Sequence, residues 1–123
     1  MKMLLVTPAP ANSLHFANSL SAVCGGPIMR AGDCPEALQK VSRHKPSLVI
    51  VDENLRGMPA LEFIRQLFSQ DAFVNVAVMS NLPEEEFHEA YEGLGILAQL
   101  PPRPGRREAQ ELLAKYRQVA LPA

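Results

Sequence analysis

Apolar positions along this chain follow two rhythms. Short runs of consecutive aliphatic residues are each followed by a longer stretch in which apolar residues recur every three or four positions. A run with no polar interruption reads as a strand covered on both faces, and a three-to-four spacing reads as one face of a helix. The alternation occurs five times, which predicts five βα units: an α/β fold with a five-stranded parallel sheet, doubly wound so that helices cover both faces. The predicted strands are Met3–Val6, Pro27–Ala31, Ser47–Asp52, Val74–Met79 and a weaker Ile96–Leu100. The first predicted helix, 12–23, turns Phe16, Leu20 and Val23 inward; the second, from Pro35, turns in Leu38 and Val41. A third starts at Pro59 and buries Leu61, Ile64 and Leu67 or Phe68. A fourth covers 83–92, and the last, 106–118, buries Ala109, Leu112, Leu113 and Tyr116. Asp33 with Glu36, and Asn81 with Glu84, have the spacing of capping boxes, and Pro59 suits a first helical turn.

Composition narrows the class. A chain of 123 residues reads as a single domain, 1–123, with one well-covered core. With 47% hydrophobic residues and a formal net charge of -1 it matches neither a disordered segment nor a nucleic-acid-binding surface. No apolar run approaches the length of a bilayer span, so no membrane association is expected. Met1–Leu4 passes too quickly into Pro-rich sequence for a secretory signal, and a cytoplasmic location is the expectation. Cys24 and Cys34 are then expected to be reduced.

The strongest chemical signal is the run Leu48-Val49-Ile50-Val51 stopping at Asp52 and opening into Glu53-Asn54-Leu55-Arg56-Gly57-Met58. In open α/β sheets, ligands and chemistry collect at the carboxyl ends of the strands. Taken alone, such an Asp more often caps its own turn. Other constellations are weaker. Cys24 and Arg30 have the spacing of a phosphatase loop, but a helix precedes and a strand follows, the reverse of the order that chemistry needs. Thr7–Ser13 follows the first strand, where a flavodoxin-like protein cradles a flavin phosphate, but Pro8 and Pro10 delete two backbone donors. His15, His44 and His88 share no metal-ligand spacing. No enzymatic activity is therefore expected. Charge is segregated late in the chain: Glu84, Glu85, Glu86, Glu89 and Glu92 on the fourth helix, and Arg103, Arg106, Arg107, Lys115 and Arg117 on and before the fifth. Such faces are usually just solvated, although opposite charges on neighbouring helices can also pair across a two-fold axis.

The order of five βα units, the Asp closing the third strand, Ser80 closing the fourth, and the segment Asp52–Met58 with Gly57 five residues after the Asp resemble the receiver (CheY-like) domain of two-component response regulators. Ala31-Gly32, Glu36-Ala37-Leu38 and Lys45-Pro46-Ser47-Leu48 are similar to the same family. The resemblance implies that Asp52 is the phosphoacceptor-equivalent residue, served by a histidine kinase, and that Ser80 contacts a phosphoryl oxygen. The family's lysine at the end of the fifth strand, followed by proline, would be Arg103-Pro104, a match that requires one inserted residue after Gly95. Receivers also carry an acidic pair at the end of the first strand that helps bind Mg²⁺. Thr7 and Pro8 stand there instead, and Asp52 alone supplies too few anionic oxygens for that hard cation. The family's aromatic switch residue on the fifth strand is missing as well. The resemblance thus implies a degenerate signalling domain, a protein-interaction module without Mg²⁺-assisted phosphorylation, with no cofactor. The alternative is an active phosphoacceptor switch using Asp52, Ser80 and Arg103. Implied partners are a histidine kinase or an output domain, or a second copy meeting the fourth helix, fifth strand and fifth helix. The candidate contacts on that face are Glu85, Glu89, Arg106 and Arg107.

Overall fold

The computed structural model describes residues 2–120, so the tail 121–123 and Met1 lie outside the described residues. Five parallel strands, β1 (Met3–Val6), β2 (Met29–Ala31), β3 (Leu48–Asp52), β4 (Asn75–Met79) and β5 (Ala98–Leu100), form one sheet in the order β2-β1-β3-β4-β5. Five helices alternate with them: α1 (Leu14–Cys24), α2 (Cys34–His44), α3 (Ala60–Gln70), α4 (Glu84–Ala90) and α5 (Arg106–Ala120). The doubly wound parallel sheet expected from the periodicity is the observed architecture.

Alternate strand residues build two cores. Leu4, Val6, Val49, Val51, Val76 and Val78 pack under α2, α3 and α4 with Phe63, Ile64, Leu67 and Phe87. Met3, Leu5, Leu48, Ile50, Ala77 and Met79 pack under α1 and α5 with Phe16, Leu20, Leu112 and Leu113. This explains why β1, the Leu48–Val51 run of β3 and the Val76–Met79 run of β4 contain no polar residue: both faces are dry. β2 and β5, at the sheet edges, shorten to three residues each, which limits the unpaired backbone available for edge-to-edge association.

The helices differ from expectation in detail. Val23 is 44% exposed; the buried arc of α1 is Phe16, Ala17 and Leu20, and Cys24 takes the inward position at its end. On α3 the stripe is Ala60, Phe63, Ile64 and Leu67, leaving Leu61 and Phe68 at its partly buried margins. α2 has its predicted cap, with Asp33 Oδ1 accepting from the Glu36 N–H at 2.9 Å, while Glu36 Oε1 accepts from Gly32 N–H at 2.8 Å. Lys45 ends that helix in the left-handed region, at φ 49°, and Pro46 then prevents its continuation. The capping box predicted for α4 does not form. Pro83 occupies the N-cap without a side-chain bond, and the helix ends at Ala90 rather than Glu92. Among the described residues, no helix is long and apolar enough to cross a membrane.

Candidate functional site

The parallel register pairs Met3 with Leu48 and Val6 with Val51, and one further step sets Thr7 opposite Asp52 on the same side of the sheet. The Thr7 hydroxyl donates to Asp52 Oδ2 at 2.7 Å. Its oxygen in turn accepts the Ala9 N–H at 3.1 Å, and the Asn54 N–H donates to Asp52 Oδ1 at 2.9 Å. Thr7 is buried and Asp52 half-buried. Each carboxylate oxygen thus already holds a donor, one from the strand where receivers place an acid and one from its own turn. Both of the earlier readings of Asp52 find support here: it stands at the sheet's carboxyl edge, and it caps the turn that follows.

The Mg²⁺ that receivers bind at this edge does not fit these donors. Among the described residues, no group of three His, Cys, Asp or Glu side chains is placed to hold a metal. Pro8 contributes neither a carboxylate nor an N–H, and the Thr7 hydroxyl points its proton at Asp52. A hard dication needs several oxygen ligands with anionic character, and here one carboxylate stands alone.

Ser80 is 4% exposed at the end of β4. Its N–H bonds Leu100 O at 2.9 Å and its hydroxyl accepts from Leu82 N–H at 3.1 Å, closing the turn before α4. Among the described residues no hydrogen bond joins Ser80 to Asp52. The ladder from Asp52 opposite Met79 sets Ser80 beside Glu53 instead. Arg103 is displaced further. β5 ends at Leu100, opposite Met79, so the strand-end residue followed by proline is Leu100-Pro101, and Leu100 is buried in the α1/α5 core. Arg103 lies three residues beyond the strand, exposed, and no ion pair links it to Asp52 among the described residues.

Glu53 and Tyr91 were not singled out by the sequence. Strand parity turns Glu53 away from Thr7, toward the α2–α4 side, where the Tyr91 hydroxyl donates to Glu53 Oε2 at 2.8 Å. Tyr91 is buried just after α4 with its ring against Phe87, centroids 4.6 Å apart. Burial, then the bond to Glu53 and its charge, pushes the phenol pKa well above its ordinary value. A sequence signal did exist: an acid one position past a strand-ending Asp must face the opposite side of the sheet.

Beside these residues α4, β5 and α5 enclose a groove of about 710 Å³, lined among others by Phe87, Glu89, Tyr91, Ile96, Gln99 and Lys115. Gln99 Nε2 also donates to Leu82 O at 2.8 Å, tying β5 to the turn before α4. Of the predicted contact residues, Glu89 lines the groove. Glu85 is exposed on the same helix. Arg106 lines a separate depression between α1 and α5, and Arg107 pairs along its own helix with Glu111 at 3.1 Å. Lys115 is therefore the basic residue of α5 within the groove. Cys24 and Cys34 are free thiols, both with pKa values raised mainly by burial.

No family model matches the chain. A transcriptional activator protein, ExaE of Pseudomonas putida, is 41% identical over 68 residues, covering 54% of this chain and 32% of that protein. The chain thus spans about a third of the length of the curated relative it matches. Among solved structures, the chemotaxis response regulator CheY4 of Vibrio cholerae superposes with a TM-score of 0.80 at 21% identity, covering 93% of this chain and 96% of that one. The REC domain of AraT, a response regulator from Geobacillus stearothermophilus, gives 0.83 at 18% identity over 95% and 92%. The N-terminal domain of an uncharacterized protein from Wolinella succinogenes gives 0.81 at 22% identity over 98% and 96%. The fold is that of response-regulator receiver domains.

Proposed function

We propose that this receiver-fold domain is a signalling module of the two-component type that works by protein–protein contact, without Mg²⁺-assisted phosphorylation of Asp52. The observation that carries this is the 2.7 Å bond from Thr7 to Asp52 Oδ2, formed where a second carboxylate would be needed to hold a cation. Phosphoryl transfer onto a carboxylate brings negative charge onto negative charge, and its catalysis is mostly positioning and charge neutralisation. Among the described residues no group of three carboxylate, His or Cys side chains is placed to hold a metal, and the strand-end residue before proline is the apolar Leu100. Partners of matching role are a histidine kinase or an output domain, docking on the α4–β5–α5 groove. The likeness to a longer transcriptional activator supports a regulatory role. The competing reading, an active phosphoacceptor, draws on the placement of a half-exposed Asp52 at the sheet's carboxyl edge.

Intact-mass spectrometry after incubation with acetyl phosphate, with and without Mg²⁺, separates the two. Unchanged mass under both conditions is expected. A Mg²⁺-dependent gain of one phosphoryl group that disappears in Asp52→Asn would overturn the proposal.

A further inference from the structure

α4 is the least anchored helix of the fold. It has seven residues, and its acidic face is exposed, with Phe87 its sole buried side chain. A helix of this length has no stability of its own in water and holds its position through tertiary contacts. One of those contacts runs from the residue that closes α4 to the loop that follows Asp52. Tyr91, whose N–H bonds Phe87 O at 3.1 Å at the end of the helix, stacks on Phe87 and donates its hydroxyl to Glu53 Oε2. Glu53 is itself fixed, its N–H bonded to Met79 O at 2.9 Å, and its neighbour Asn54 bonds Asp52 Oδ1.

We infer that the Glu53–Tyr91 hydrogen bond is a strut linking the conformation of the β3–α3 loop to the position of α4, and so to the wall of the groove that Tyr91 and Phe87 line. A buried phenol left without an acceptor bears the full cost of its lost hydration. Any movement that withdraws the Glu53 carboxylate therefore drives Tyr91 to swing out or to find a new partner, and α4 moves with it. Linkage makes the effect reciprocal: a molecule in the groove that displaces Tyr91 must also shift the Asp52 loop. The consequence for binding rests on the proposed use of that groove as a docking face. The strut itself does not, and it is tested on the free chain.

Tyr91→Phe removes the hydroxyl and keeps the ring on Phe87; Glu53→Ala removes the acceptor; Glu53→Gln keeps an acceptor oxygen. Amide exchange is followed at Phe87 and Tyr91, whose N–H groups bond Pro83 O and Phe87 O, and the Asn54 amide shift reports its bond to Asp52. A hydrogen bond to a charged group contributes enough that exchange at both amides should rise about tenfold or more in Tyr91→Phe and in Glu53→Ala. The double variant should add nothing further, Glu53→Gln should stay near the parent, and the Asn54 shift should move in Tyr91→Phe. Leu112 in α5 should be unaffected. Additive effects in the double variant, or an Asn54 shift that ignores the loss of the Tyr91 hydroxyl, would overturn the inference. Should Tyr91→Phe fail to fold, Glu53→Ala against Glu53→Gln decides on the same amides, and equal loosening by both refutes the strut. A phosphorylatable Asp52 would leave these outcomes unchanged, so the two proposals fail separately.

Discussion

Thr7→Val is the most direct test of how the carboxyl edge is built. Valine has the shape of threonine, so strand packing at this buried position is kept while the donor to Asp52 Oδ2 disappears. A hydrogen bond to a charged group contributes about 1.5–3 kcal/mol net. The Ala9 N–H also loses its acceptor, but Ala9 is half-exposed and water can take that place. Two effects oppose the loss: the new methyl gains up to about 0.8 kcal/mol by burial, and water can reach half-exposed Asp52. The net destabilisation should be about 1–2 kcal/mol, a fall in Tm of roughly 4–10 °C for a domain of this size. Urea unfolding followed by circular dichroism measures it, with an unchanged m-value showing that the unfolded state is the same. A cycle with Asp52→Ala isolates the pair, and a coupling of about 1 kcal/mol is expected. Thr7→Val as stable as the parent, or single effects that add to within about 0.3 kcal/mol, would show that the bond does not organise this edge.

Three further outcomes follow from the same geometry. Replacing both Thr7 and Pro8 with Asp should create a divalent-cation site beside Asp52, since two carboxylates then join the first; calorimetry showing no Mg²⁺ binding by the folded variant would mean that the end of β1 is not the metal position of this fold. Stability should fall above about pH 10 more steeply in the parent than in Tyr91→Phe. The folded-state phenol pKa is raised, so its contribution is complete below the unfolded value near 10 and is lost as pH climbs toward the folded one; identical alkaline profiles for the two proteins would contradict the buried bond. Charge reversal at Arg106 and Arg107 should weaken any salt-sensitive self-association while changing stability by less than about 1 kcal/mol, because the Arg107–Glu111 pair is exposed. Sedimentation that is unchanged by the reversal, at low and high salt, would move the interface away from α5 and toward the groove around Lys115.

The architecture was legible in the chain because parallel strands buried on both faces must be continuously apolar. Leu48–Val51 and Val76–Met79 could be read from that fact alone, as could the Asp33–Glu36 cap, whose partners are three residues apart. Helix faces were read less accurately, since a spacing of three or four does not say where the buried arc is centred; Val23 falls outside it and Leu61 at its margin. Asn81 does not cap α4: the Ser80 hydroxyl accepts the Leu82 N–H and Pro83 stands at the N-cap.

The site divides along the same line. That a threonine and a proline stand where an acidic pair would be needed is a property of the sequence, and so is Asp52 at a strand end. What Thr7 does there required the β1–β3 register, because partners 45 positions apart meet only after two strands have aligned. Where β5 ends, and so how far Arg103 stands beyond it, is set by pairing with β4, a contact between distant segments that composition does not record. The bond from Tyr91 to Glu53 lay further out of reach. It needs strand parity to aim the acid, α4 to end where it does, and Phe87 to hold the ring, and these conditions meet only once the helices have packed on the sheet.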